Sequence, residues 1–120
     1  MKSNVIAEKS EEFAVRIVNL YKHLTLKKKE LIMSKQIFRC GTSIGANISE
    51  SRNAQSSSDF VNKLNIALKE ADETAFWLRL LKRTEFISAE EFESMGNDLN
   101  EIISLLVSII KTTKNNNSMK

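Results

Sequence analysis

The sequence predicts an all-α protein, an antiparallel up-down-up-down four-helix bundle that forms a single domain. The chain of 120 residues contains no Pro and only three Gly, so few positions favour the sharp turns that join strands. Apolar residues recur at alternating steps of three and four, which is the spacing of one buried helix face. A chain of this length builds one core, and short connections make successive helices antiparallel neighbours.

The first two helices are predicted over residues 4–24 and 26–51. The apolar face of the first is marked by Ile6, Phe13, Ile17, Leu20 and Leu24. The face of the second is marked by Leu31, Ser34, Ile37, Gly41, Ile44 and Ile48. Because the segment between them contains neither Gly nor Pro, one continuous helix is a second possibility. If the chain breaks there, Thr25 is the predicted amino-terminal cap of the second helix.

The third helix is predicted over residues 57–83. Ser and Asp side chains at positions 56–59 are suited to accept the free amide hydrogens of its first turn. Its apolar or small face consists of Phe60, Leu64, Ala67, Ala71, Thr74, Leu78 and Leu81. Basic residues in its last turns complement the negative end of the helix dipole.

The fourth helix is predicted over residues 88–111. Ser88 and Glu91 have the spacing of a capping box, which marks a helix start. Its apolar face consists of Phe92, Met95, Leu99, Ile102, Leu106 and Ile109. The bundle is therefore expected to occupy residues 1–112, and the polar residues 113–120 are expected to form a disordered tail.

Charge is unevenly distributed along the chain. The net charge is +3, from 18 Lys and Arg and 15 Asp and Glu. Seven bases and one acid lie between Arg16 and Arg39, whereas six acids and no base lie between Thr84 and Glu101. This polarity suits binding to a polyanion, assembly between complementary faces, or an ordinary solvated surface, and composition does not choose among the three.

The second helix carries patterns beyond its apolar face. Gly41 and Gly45 each destabilise a helix by about 0.5–1 kcal/mol relative to alanine. We predict that they are present because another helix approaches closely there. The alternative is that a long helix tolerates two weak positions. A second stripe of small or polar residues is formed by Gln36, Cys40, Ser43, Asn47 and Glu50. We interpret the stripe as a contact with another copy, a hydrogen-bond network with Arg39 or Arg52, or a solvated face.

No catalytic centre, metal or cofactor is predicted. A di-iron bundle needs Glu-x-x-His pairs on two helices, and the single histidine, His23, is not preceded by such a glutamate. Cys40 has no histidine near it in sequence, and packing explains a small buried thiol without nucleophilic chemistry. The chain is not expected to be an enzyme.

The predicted location is the cytoplasm, with no membrane partner. A lone cysteine forms no internal disulfide, and the amino-terminal residues lack the apolar run of a secretion signal. No stretch approaches the roughly 20 apolar residues that cross a bilayer.

Part of the second helix resembles the signature of a known family. The residues concerned are Gln36, Ile37, Phe38, Arg39, Ser43, Ile44, Gly45, Ala46, Asn47, Ile48, Ser49 and Glu50. They are similar to the signature of the ribosomal-protein-like four-helix bundles encoded in intervening sequences of bacterial 23S ribosomal RNA genes. The resemblance continues through Arg52, Ser58 and Phe60 to the last helix, so it covers nearly the whole chain. The family includes the accessory variability proteins of diversity-generating retroelements.

The resemblance implies a ring-like homopentamer, and for the retroelement branch it implies binding to nucleic acid and to a reverse transcriptase. It also implies structural roles for Asn47 and Glu50. The residues expected to serve bundle structure or contact between copies are Gln36, Cys40, Gly41, Ser43, Gly45, Asn47, Glu50 and Arg52.

Nucleic acid, either RNA or DNA, is expected at the pole where the first connection meets the end of the third helix. A basic face of the second helix, with Lys28, Lys35 and Arg39 in line, is expected to contribute. The candidate residues are Lys27, Lys28, Lys29, Lys35, Arg39, Arg79, Lys82 and Arg83. Acids at the start of the fourth helix are expected to cancel part of this field in a monomer.

The charge distribution and the family resemblance are compatible with two kinds of function. The first is a homo-oligomeric scaffold that binds nucleic acid through phosphate contacts without reading sequence. The second is a protein-interaction module, for example an accessory partner of a reverse transcriptase, with no direct role on nucleic acid. Steep salt dependence of nucleic-acid binding distinguishes the first from the second.

Overall fold

Four helices make up the part of the chain that the computed structural model describes, residues 2–118. They are α1 (Lys2–Leu26), α2 (Met33–Ser51), α3 (Ser57–Arg83) and α4 (Ala89–Ser118). No residue in that range belongs to a β-strand. The helices lie side by side in a rod of 53 × 22 × 20 Å, which confirms the predicted fold class.

Ion pairs between helices show that neighbours run in opposite directions. The pairs are Lys9–Glu101 and Arg16–Asp98 between α1 and α4, and Arg39–Glu73 and Glu50–Lys63 between α2 and α3. In each set the residue number on one helix falls as the number on the other rises. Since α1 and α3 each pack against both α2 and α4, the order around the bundle is up-down-up-down.

The core consists of the apolar face that each helix turns toward the bundle axis. Its largest fully buried apolar side chains are Phe13, Ile17, Leu24, Ile37, Ile44, Leu64, Leu78, Leu81, Leu99, Ile102 and Leu106. Burial of one such side chain contributes about 1.5–3 kcal/mol. All four helices supply members of this set, so the bundle has one continuous core.

The connection between α1 and α2 differs from the prediction. α1 continues to Leu26, and α2 begins at Met33 instead of residue 26. Thr25 is not a cap, because it lies in the last turn of α1, where its hydroxyl donates to the Tyr21 carbonyl at 2.8 Å. Leu31 is a loop residue with 62% of its surface exposed, so it does not begin the buried face of α2.

The structure also differs from the prediction that Lys28, Lys35 and Arg39 form one basic face of the second helix. Lys28 lies in the α1–α2 connection and not on α2, so it does not continue the line of Lys35 and Arg39 along that helix.

Glu30 determines where α2 begins. Its carboxylate accepts the backbone N–H groups of Ile32 at 3.1 Å, Met33 at 3.1 Å and Ser34 at 2.7 Å. Burial raises the pKa of Glu30, but the hydrogen bonds from these amides outweigh burial and hold the pKa below its ordinary value. The preceding Lys29 has φ of 57°, a conformation for which the sequence gives no Gly or Asn signal.

The starts of α3 and α4 are capped by side chains. The Asp59 N–H donates to Ser56 Oγ at 3.0 Å. At α4 the Glu91 N–H donates to Ser88 Oγ, and the Ser88 N–H donates to Glu91 Oε1, both at 3.0 Å. This reciprocal pair confirms the capping box.

The carboxyl end of α4 differs from the prediction. The helix extends to Ser118, past the expected end at residue 111, so most of the predicted disordered tail is helical and residues 119–120 lie outside the described part. The Thr113 hydroxyl donates to the Ile109 carbonyl at 2.8 Å. Neither Gly nor Pro follows Gly96, and the helix continues through Asn115, Asn116 and Asn117, although Asn is a residue type that can end a helix.

Candidate nucleic-acid interface

One pole of the rod brings together the α1–α2 connection, the end of α3 and the start of α4. A groove at this pole is lined by His23 and Lys28 on one side and by Lys82, Glu85 and Glu91 on the other. Two basic segments far apart in sequence therefore meet, because antiparallel helices return the chain to the same end. The same geometry brings glutamates into the groove.

Seven of the eight basic candidates are exposed and take part in no salt bridge within residues 2–118. They are Lys27, Lys28, Lys29, Lys35, Arg79, Lys82 and Arg83. Lys82 Nζ lies 4.9 Å from the centroid of the Phe92 ring, which is a cation–π contact. Lys27, Lys28 and Lys29 form a continuous run in the connection, so they carry the densest positive charge at this pole.

Arg39 is held by carboxylates of α3. Its guanidinium bonds Glu70 Oε2 at 3.2 Å and Glu73 Oε2 at 2.5 Å. Glu73 also accepts from Trp77 Nε1 at 3.1 Å. The hydrogen bonds from Arg39 and Trp77 lower the pKa of Glu73, and Glu73 in turn raises the pKa of Arg39. Arg39 therefore joins α2 to α3 and is less available for a phosphate than the lysines of the connection.

Two residues of the small or polar stripe of α2 contact α3 of the same chain. Buried Cys40 accepts a hydrogen bond from the Thr74 hydroxyl at 3.2 Å, and Glu50 pairs with Lys63 Nζ at 3.2 Å. Asn47 is half-buried and donates to the carbonyl of Ser43 in its own helix at 2.8 Å.

Of the other two stripe residues, Gln36 is exposed, and the Ser43 hydroxyl donates to the backbone carbonyl of Arg39 at 2.7 Å. The Arg39 guanidinium bonds Glu70 and Glu73 of α3 and not a side chain of the stripe, so these bonds do not decide among the alternatives that the sequence left open.

Gly41 and Gly45 lie where α2 crosses α1. A Cβ at Gly41 would lie 2.7 Å from Cδ1 and Cγ1 of Ile17, and a Cβ at Gly45 would lie 3.3 Å from the carbonyl oxygen of Ser10. The absence of side chains therefore lets α1 approach α2 closely. α2 has two neighbours within the chain, α1 on the glycine side and α3 on the stripe side.

Arg52 ends α2 at the opposite pole. Its side chain is exposed and lines two open grooves, one against Glu8 and Glu11 of α1 and one against Ser56 and Ser57 at the start of α3. The first groove runs between α1 and α2 over small side chains: Ala7, Ser10, Ala14, Gly45 and Ala46.

The side chains considered for catalysis or metal binding lie apart from one another in the described part of the chain. His23 is exposed, and the described residues contain no group of three His, Cys, Asp or Glu placed to hold a metal ion. Burial raises the pKa of the Cys40 thiol, which keeps it protonated and unreactive. Within the described helices, no segment is long and apolar enough to cross a membrane.

Sequence reasoning missed some residues that position α2 and its basic side chains. Glu30 was not identified as the residue that binds the first amides of α2, because glutamate is not among the residue types that usually cap a helix start. The salt bridges of Arg39 with Glu70 and Glu73 were not predicted, because they depend on how α2 and α3 are aligned.

Comparison with known proteins gives two findings. The model of the family described as 23S rRNA-intervening sequence protein matches residues 2–108. A crystal structure from Bacteroides thetaiotaomicron VPI-5482, described as a protein with unknown function from the S23 ribosomal protein family, is similar with a TM-score of 0.92 and 66% sequence identity. That match covers 92% of this chain and 99% of the other. The comparison with curated proteins gives no match.

Proposed function

Since this chain belongs to the 23S rRNA-intervening sequence protein family, we propose that it is a non-enzymatic, homo-oligomeric scaffold that binds nucleic acid through its basic pole. The proposed assembly is a pentamer, and the proposed location is the bacterial cytoplasm. The similar crystal structure is itself of a protein with unknown function, so the proposal rests on the surface of this chain.

The observation that carries the proposal is the meeting of two basic segments at one pole. Lys28 from the α1–α2 connection and Lys82 from α3 line the same groove, and Lys27 and Lys29 are exposed beside it. Within residues 2–118, these four lysines have no salt-bridge partner. Ammonium groups that neutralise phosphates displace counterions condensed on the nucleic acid, which drives binding without base recognition.

Self-association is supported by the open groove between α1 and α2. Its floor of small side chains allows close approach of a helix, and Glu8, Glu11 and Arg52 at its edges provide both signs of charge for a second copy. A pentamer has a mass of five times 13.6 kDa, or about 68 kDa. Multi-angle light scattering is expected to give this mass, and a monomer at micromolar concentration would reject the assembly.

A matched pair of variants tests the role of the groove in assembly. Ala46→Arg places a long cation on the groove floor and is expected to reduce the mass to that of the protomer. Ala89→Arg adds the same side chain at an exposed alanine of the other pole and is expected to leave the mass unchanged. Equal behaviour of the two variants would reject the groove as the contact.

Nucleic-acid binding is tested by removing charge from the pole. The pole variant carries Lys27→Gln, Lys28→Gln and Lys29→Gln; the control carries Lys69→Gln, Lys111→Gln and Lys114→Gln, which removes the same charge from exposed positions elsewhere. Fluorescence anisotropy with a labelled single-stranded RNA is expected to show about tenfold or greater weakening for the pole variant. The control is expected to lose far less. Equal losses in the two variants would mean that net charge, and not the pole, determines binding.

A second candidate function is a protein-interaction module with no direct role on nucleic acid. It is favoured by the glutamates of the pole, because Glu85 and Glu91 line the same groove as Lys28 and Lys82 and oppose a polyanion there. A retroelement reverse transcriptase is one such partner that we propose. Co-purification with that enzyme that persists after nuclease treatment supports this function, and loss of the enzyme after nuclease rejects it.

A further inference from the structure

Three large aliphatic side chains project from the basic pole. Leu26, Leu31 and Ile32 are 66%, 62% and 77% exposed, and they lie on both sides of the lysine run 27–29. They are not among the residues that line the groove of Lys28 and Lys82. Single exposed aliphatic residues are ordinary, whereas three within seven residues concentrate exposed apolar surface at one end of the rod. We name residues 26–32 the aliphatic-basic tip.

The tip is held in one conformation by the backbone around it. The N–H groups of Lys27 and Lys28 donate to the His23 carbonyl at 3.0 and 3.2 Å, and the Glu30 N–H donates to the Leu24 carbonyl at 2.9 Å. The carboxylate of Glu30 then fixes the amides of residues 32–34. The aliphatic side chains are therefore displayed before any partner arrives, which lowers the ordering cost of binding.

Phosphate binding does not account for the aliphatic part of this surface. A nucleic-acid backbone offers charge to Lys27, Lys28 and Lys29 but no apolar surface to cover Leu31 and Ile32. We propose that the aliphatic-basic tip docks a partner protein through an acidic, amphipathic helical segment. Carboxylates of that segment pair with the lysine run, and its apolar face covers the aliphatic side chains.

The charges around the tip favour a protein segment over an anionic membrane. A bilayer is flat, so it meets the whole end of the rod, including the groove glutamates Glu85 and Glu91 and the exposed Glu90 and Glu93. These four acids oppose an anionic lipid surface. A single helical segment contacts the tip alone and avoids them. The inference goes beyond the proposed nucleic-acid function and does not depend on it.

The test uses two defined peptides of about 18 residues, both acidic and helical. One carries Leu on its apolar face, and the other carries the same Glu residues with Gln in place of Leu. Anisotropy is expected to show about tenfold tighter binding of the Leu peptide to the wild-type chain. Equal affinity for the two peptides, or no binding of either, would overturn the proposal.

Variants of the chain locate the binding. Leu31→Ser with Ile32→Ser is expected to weaken the Leu peptide about tenfold, whereas Val15→Ser with Val107→Ser, which alters exposed valines elsewhere, is expected to have no effect. Circular dichroism confirms that both variants are folded. A tip variant that binds the Leu peptide as tightly as the wild type would overturn the proposal.

Two further measurements separate this proposal from its alternatives. RNA affinity is expected to be the same for the tip variant and the wild type, because serine leaves the lysines in place. Failure of RNA binding in every form of the chain would reject the nucleic-acid function but leave the peptide result intact. Sedimentation with vesicles of phosphatidylcholine and phosphatidylglycerol is expected to leave the chain in solution, and binding to vesicles without binding to the Leu peptide would overturn the proposal.

Discussion

Replacing Gly41 by Ala adds one methyl group at the closest approach of α1 and α2. The new Cβ would lie 2.7 Å from Cδ1 and Cγ1 of Ile17 and 3.1 Å from its Cγ2. Ile17 is fully buried and β-branched, so it has little freedom to move away. The substitution therefore tests whether the glycine is required by the packing of this chain.

Two opposing effects determine the magnitude. Alanine is the better helix former by about 0.5–1 kcal/mol. Insertion of a methyl group into a filled core costs about 1–3 kcal/mol. The steric effect is larger, so Gly41→Ala is expected to lower the free energy of unfolding by about 0.5–2 kcal/mol.

Gly96→Ala is the matched control. It makes the same chemical change inside α4, but a Cβ at this position meets no atom within 4 Å. Only the helix-propensity gain remains, so the variant is expected to be more stable by about 0.5–1 kcal/mol. Urea unfolding followed by circular dichroism at one fixed protomer concentration measures both changes, because self-association would otherwise add to the stability.

The two substitutions are expected to change stability in opposite directions. Stabilisation by Gly41→Ala equal to that by Gly96→Ala would refute the close α1–α2 contact. It would mean that Gly41 is merely tolerated in the helix.

Three other predictions concern α2. Glu30→Gln is expected to lower the free energy of unfolding by about 1–2 kcal/mol at neutral pH. Because the pKa of Glu30 is lowered in the folded chain, the wild type should lose this contribution as the pH falls below about 4.5. Urea titrations that show equal acid sensitivity of the wild type and the variant would contradict the role of Glu30 at the start of α2. The Cys40 thiol should react with Ellman's reagent only after unfolding, since burial raises its pKa, and rapid reaction of the folded chain would argue against the α2–α3 packing. Arg39→Gln should lower stability by less than about 1 kcal/mol and change RNA affinity less than Lys28→Gln does; the reverse order would show that Arg39 binds phosphate.

The parts of the fold that were predictable depend on local patterns. The repeated spacing in α3 and the Ser88–Glu91 capping box are fixed by residues within a few positions of one another. The α1–α2 break was misplaced because a glutamate and a left-handed lysine produce it, in place of the Gly or Pro that usually marks such a turn. Its position depends on a buried carboxylate, and burial is not readable from residue type.

The site was predictable to the extent that it follows from topology. Up-down-up-down order was sufficient to place Lys28 and Lys82 at one pole. The pairing of Arg39 with Glu70 and Glu73 was not, because it depends on how far α2 and α3 are shifted along one another. The exposure of Leu31 was not predictable either, because it follows from the late start of α2, which leaves Leu31 in the connection.

The salt dependence of RNA affinity tests the central claim most directly. Anisotropy titrations between about 50 and 200 mM salt give the slope of log K against log salt, which is about −0.7 per phosphate contact for single strands. The wild type is expected to show a steep negative slope, and the Lys27→Gln, Lys28→Gln, Lys29→Gln variant a slope shallower by about 2, for three lost contacts. Equal slopes for the two proteins, or a wild-type affinity that does not change with salt, would contradict binding of nucleic acid at the basic pole.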